Sequence, residues 1–74
     1  MSYSLQGQRV SGIYQGVNHV NGTVTASRLG HDGSIWHTVL LDQPRLFGHA
    51  RRTHVIVFQQ ELTYVGPPVD QNFD

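Results

Sequence analysis

The sequence predicts an all-β fold, a small five-stranded barrel, on three observations. Glycines at positions 7, 12, 16, 22, 30, 33 and 48 punctuate short runs rich in β-branched and aromatic residues, the spacing of a barrel or sandwich of short strands. No window places apolar residues at helical spacing over a useful length. The run from Arg52 to Phe58 is the most β-prone in the chain, and it stops at a polar turn, Gln59-Gln60-Glu61, before a short last strand from Leu62 to Val65.

Seventy-four residues make one domain, and a chain of this size buries only roughly 60% of the surface its unfolded form exposes. So thin a core is commonly reinforced by disulfides, a metal or self-association. The chain has no cysteine, which removes the first route and the commonest structural zinc sites. Self-association is the expectation that remains. The N-terminal residues carry no signal-peptide pattern, and no run approaches the ~20 apolar residues of a membrane span, so the expected setting is cytoplasmic, without a membrane partner.

The formal charge is zero, which argues against a binder that relies on many non-specific phosphate contacts. The distribution is less even than the sum. All five basic residues are arginine, and five arginines against Asp32, Asp42 and Glu61 leave the chain ahead of its last residues with a formal charge of +2.

In chain order, residues 1–6 carry no periodic pattern and are expected to form a flexible arm. The first strand runs from Gln8 to Tyr14 around Gly12, where glycine implies a bulge or a close backbone approach. In the second, Val20, Gly22, Val24 and Ala26 alternate with Asn21, Thr23, Thr25 and Ser27. Asn21-Gly22 is also a strong two-residue hairpin signal, so either one strand passes through it or a turn sits there. Gly30-His31-Asp32-Gly33 is a turn, with Asp32 shaping it.

The third strand spans Ser34 to Asp42, with Pro44 expected to end it for want of a ladder donor. Ile35, His37, Val39 and Leu41 alternate there with Trp36, Thr38 and Leu40, so neither face is convincingly polar. The fourth strand repeats this, with Val55 and Val57 on one side and Ile56 and Phe58 on the other. Only one face can line so small a core. Val55 and Val57 are assigned to it, and Trp36, Leu40, Ile56 and Phe58 are left as a second apolar face. Residues 7–65 make the barrel, and 66–74 are expected to be a flexible tail.

A glycine early in the first strand, a Gly-x-Val second strand, Val39-Leu40-Leu41-Asp42 closing the third, and Val55-Ile56-Val57 followed by Glu61-Leu62 together resemble an SH3-like barrel. In that architecture a single 3-10 turn precedes the last strand, and Gln59-Gln60-Glu61 fits the slot. Within it, Gly7-Gln8-Arg9-Val10 and Val55-Ile56-Val57-Phe58 resemble, across roughly residues 7–65, the motifs of the plasmid-borne type II dihydrofolate reductases. Those are small chains that assemble as tetramers around a pore. The resemblance implies that Ile56, Phe58 and Gly12 stand where that family carries a ligand-contacting glutamine, a tyrosine and a lysine. The assembly would then be retained and the chemistry lost. KOW and Sm-like modules are similar through the Gly-x-Val strand, which implies RNA binding as an alternative.

Two candidate surfaces follow. Trp36, Leu40, Ile56 and Phe58 suit a protein interface, because contiguous apolar patches are uncommon on soluble monomers and aromatics concentrate in interface cores. The segment from Arg45 to His54 offers Arg45, His49, Arg51 and Arg52 for phosphate oxygens and Phe47 for base stacking. An ordinary solvated loop is its plainer reading. The five histidines match no tight metal spacing; His37 and His54, expected on neighbouring strands, are a pair that could titrate or bind metal together, but an ordinary hydrogen-bonded histidine is the preferred reading. No nucleophile elbow, phosphate loop or dinucleotide fingerprint occurs, and Asp42 and Glu61 read as a strand end and a turn cap. The expectation is a non-enzymatic binding module without cofactor. It self-associates and binds a protein partner, with nucleic-acid binding and a degenerate reductase relative as the alternatives.

Overall fold

The computed structural model of the protein describes residues 3–68. They form β1 (Gln8–Tyr14), β2 (Asn18–Leu29), β3 (Ile35–Phe47), β4 (Ala50–Phe58), a 3-10 turn (Gln59–Glu61) and β5 (Leu62–Pro68). All five strands are antiparallel in one sheet of order β4-β3-β2-β1-β5. This is the expected all-β class, a small five-stranded fold with a 3-10 turn before its last strand. Among the described residues no helix is long and apolar enough to cross a membrane.

Alternation places the core. Val10, Val20, Val24, Val39, Leu41, Val55 and Val57 are buried together, with Leu5, Tyr14, Phe47 and Leu62 packed against them. Short β-branched side chains suit a tightly curled sheet, which leaves little room between its walls. Glycine permits the two closest approaches. Gly22 faces Leu41 on one side and Val10 on the other, and a β-carbon there would lie 2.2 Å from the Leu40 carbonyl oxygen. At Gly12, where the β1–β5 register shifts, a β-carbon would meet a Val57 methyl at 3.0 Å and the Glu61 carbonyl oxygen at 3.1 Å. The second of these sets β1 against β4 across the interior although the two strands do not pair.

The structure decides the Asn21-Gly22 alternative in favour of a continuous strand. The β1–β2 turn lies earlier, where Gln15 and Gly16 both take positive φ, 55° and 80°. The turn at residues 30–33 is as expected: Asp32 Oδ1 accepts from the Ser34 amide at 3.0 Å and from its hydroxyl at 2.6 Å.

Five expectations are corrected. Pro44 does not end the third strand; β3 runs on to Phe47, with a register shift between Leu40 and Arg45 that absorbs the missing donor. Asp42 is therefore no strand end, and its carboxylate pairs with Arg9. Gly66, Pro67 and Pro68, assigned to the tail, belong to β5; Val69 to Asp74 lie outside the described residues, as do Met1 and Ser2. In the expected arm, Leu5 is anchored, its amide donating to Ser27 Oγ at 3.0 Å and its side chain packing on the core. Finally, no side chain caps the 3-10 turn: the Leu62 amide bonds to the Gln59 carbonyl, and Glu61 plays no capping part.

Candidate functional site

The outer face of β3 and β4 is built by register. Trp36 lies opposite Phe58, Thr38 opposite Ile56 and Leu40 opposite His54, while His37 opposite Val57 and Val39 opposite Val55 point inward. Leu40, Ile56 and Phe58 are 41%, 52% and 45% exposed, whereas Val55 and Val57 are 3% and 1%. Trp36 is half-buried and meets Phe58 edge to face at 6.2 Å between centroids. The four apolar residues read from the sequence as a second face thus stand outward on adjacent strands.

The basic segment has a different form from the expected loop. It is a β-hairpin arm, with Arg45 opposite Arg52, Leu46 opposite Arg51 and Phe47 opposite Ala50, closed by Gly48 and His49. Its residues divide into two groups. The Arg45 guanidinium donates to the His19 carbonyl and lies 5.0 Å over the Phe47 ring. Phe47 packs edge to face on Tyr14 at 4.9 Å. Both therefore hold the arm against the β1–β2 turn, which removes Phe47 as a free stacking platform. Arg51, Arg52 and His49 are exposed.

Two grooves open beside β4. One is lined by Tyr14, Thr38, Arg52, His54, Val55 and Ile56, the other by Ile13, Tyr14, Gln15, Gly16, Ile56, Val57, Phe58 and Glu61. Tyr14 was not singled out by sequence reasoning. It ends the first strand, and only the curl of the sheet carries it to β4, so no local signal could have found it.

The histidine pair separates. His37 and His54 do sit on neighbouring strands, but His37 is 0% exposed while His54 faces solvent, its Nδ1 2.9 Å from Thr53 Oγ1. His37 is fully engaged: Nε2 lies 2.6 Å from Gln59 Oε1, and Nδ1 lies 2.7 Å from Ser27 Oγ. An amide oxygen only accepts, so Nε2 carries the hydrogen and Nδ1 accepts from the serine hydroxyl. Among the described residues no group of three or more His, Cys, Asp or Glu is placed to hold a metal.

Away from the arm, one ion pair forms among the described residues. Arg9 grips Asp42 with both guanidinium nitrogens, Nη1 to Oδ1 at 2.5 Å and Nη2 to Oδ2 at 2.8 Å. The shared hydrogen bonds raise the Arg9 pKa and lower that of Asp42. Asp32 is likewise lowered, by the Ser34 hydroxyl and amide. Set against protein-family models, curated proteins and solved structures, the chain matches none.

Proposed function

We propose that the protein is a non-enzymatic binding module of the cytoplasm that self-associates through the outer face of β3 and β4. The observation that carries this reading is the side-by-side exposure of Leu40, Ile56 and Phe58 next to Trp36. Burying such a face removes apolar area from water at about 25 cal/mol per Å², which is the reinforcement a core of seven mostly small side chains lacks.

A second copy suits the face better than an unrelated partner for two reasons. The sheet has two edges, β4 and β5. Pro67 and Pro68 deprive β5 of two donors, whereas β4 has no proline from Ala50 to Phe58 and so keeps its backbone donors for pairing with another strand. Charge also favours a two-fold arrangement. Arg51 and Arg52 stand at one end of β4, and Glu61 follows the other, so an antiparallel copy brings opposite charges together at both ends, as a self-complementary interface requires.

The experiment is a mass measurement by light scattering over a concentration series. A dimer or larger assembly at micromolar concentration is expected. A monomer throughout the series, with Trp36 fluorescence typical of a solvent-exposed indole, overturns the proposal. The resemblance to folate reductases adds no chemistry to it, since Ile56 and Phe58 offer neither an amide nor a hydroxyl.

A further inference from the structure

The hairpin arm holds charges where a lone small protein gains nothing from them. Arg45 and Arg52 are cross-strand partners, and like charges directly opposite in an antiparallel pair are destabilising. Arg45 is drawn aside onto the His19 carbonyl and the Phe47 ring. Arg51 and Arg52 have no such outlet. Among the described residues the single ion pair is Arg9 with Asp42, Asp32 is held in the β2–β3 turn, and Glu61 lies beyond the far end of β4. No carboxylate lies on the arm, so the counter-charge for these arginines has to come from another molecule.

The groove beside the arm narrows the class of ligand. Its walls carry Arg52 and His54, and the rest of its lining is Tyr14, Thr38, Val55 and Ile56. Phosphate would find the guanidinium at the rim, and a flat apolar group would find a phenol ring and an isoleucine below it. We infer that Arg51, Arg52 and His54, with the groove over Tyr14 and Ile56, form a binding site for single-stranded nucleic acid. A duplex keeps its bases stacked and offers this groove only phosphates, whereas an unpaired strand can place a base in it. An acidic peptide would satisfy the arginines but leave the aromatic lining unused.

This site shares Ile56 with the proposed assembly face, and Arg51 and Arg52 with the charge pairing proposed at its ends, so the mass of each variant is measured beside its binding and the two effects are read apart. A fluorescent single-stranded oligonucleotide of roughly 12 nucleotides, enough to span one small barrel, is titrated with the full chain and followed by anisotropy. Binding is expected at about 20 mM salt, with log K falling against log salt at a slope of roughly −0.7 per phosphate contacted. Arg51→Ala/Arg52→Ala is expected to weaken binding about tenfold or more and to flatten the slope by roughly 1.4, one step per charge removed. The matching duplex, an abasic strand of equal length and polyglutamate should each bind more weakly. Phe58→Asp, which attacks only the assembly face, should leave binding in place. The inference is overturned by no binding at low salt, by equal binding of the double variant, or by an abasic strand or polyglutamate binding as well as the oligonucleotide. Circular dichroism of the double variant, both of whose changes are on exposed residues, confirms that any loss is not unfolding.

Discussion

His37 Nε2 and Gln59 Oε1, 2.6 Å apart, join the buried face of β3 to the 3-10 turn. On the other side of the ring Ser27 Oγ accepts from the Leu5 amide and bonds to His37 Nδ1, so one imidazole links the segment before β1, β2, β3 and the turn before β5. His37 is the one buried polar side chain among the described residues. A fully satisfied buried polar group specifies its surroundings more sharply than an apolar one, because each alternative packing leaves a donor or acceptor unmet.

His37→Ala should therefore destabilise the fold by about 2–4 kcal/mol, through the cavity and the orphaned Ser27 hydroxyl. Gln59→Ala should cost only about 1 kcal/mol, because Gln59 is exposed and water can take its place. Urea denaturation midpoints give both values, and equal losses would show that the hydrogen bond rather than the packing dominates.

Gly22→Ala should be among the most damaging single changes in the chain. The added carbon would sit 2.2 Å from the backbone oxygen of Leu40, an atom that cannot move without opening the β2–β3 ladder. A loss of about 3 kcal/mol or more is expected. Gly12→Ala meets a Val57 methyl and the Glu61 carbonyl at 3.0 and 3.1 Å and should cost about 1–2 kcal/mol. Thermal unfolding of the two variants should keep this order.

Asp42 makes stability depend on acid. Its pKa is lowered in the folded state, first by the hydrogen bonds from Arg9, so its contribution is complete above the unfolded value and is lost as pH falls from about 4 through the folded one. Arg9 and Asp42 are 43% and 48% exposed, and screening limits the pair to about 0.2–1 kcal/mol. Asp42→Asn should be less stable than the parent by that amount at neutral pH. The gap should close below the folded pKa of Asp42 and shrink with added salt.

Phe58→Asp should separate assembly from folding. Phe58 is 45% exposed and packs on Trp36 alone among the aromatic side chains described, so the β-sheet circular dichroism should persist while the mass falls to that of one chain. Trp36 emission should shift to the red as the face opens to water. A fold lost along with the assembly would mean that the face supports the single chain itself.

Pattern and propensity alone made much of the architecture legible. The boundaries of the first strand, the turn shaped by Asp32 and the 3-10 turn before Leu62 follow from local chemistry: the φ preferences of glycine and aspartate, and the period-two alternation that sends Val55 and Val57 to one side and Ile56 and Phe58 to the other. Where local signals competed, contacts distant in sequence prevailed. Asn21-Gly22 is a turn by its own preference and a strand in the fold, because Gly22 lies between β1 and β3, where a side chain has no room. Pro44 reads as a stop, yet β3 tolerates it beside a register shift. The partners of Arg9, the burial of His37 and the meeting of Tyr14 with Arg52 and His54 in one groove depend on the curl of the sheet. Curl sums small twists over five strands, and no window of sequence contains that sum. The outward apolar residues and the basic segment were thus legible in the chain, while their sorting into an apolar face, a braced arm and a groove that includes Tyr14 came from closing the sheet on a core of short side chains.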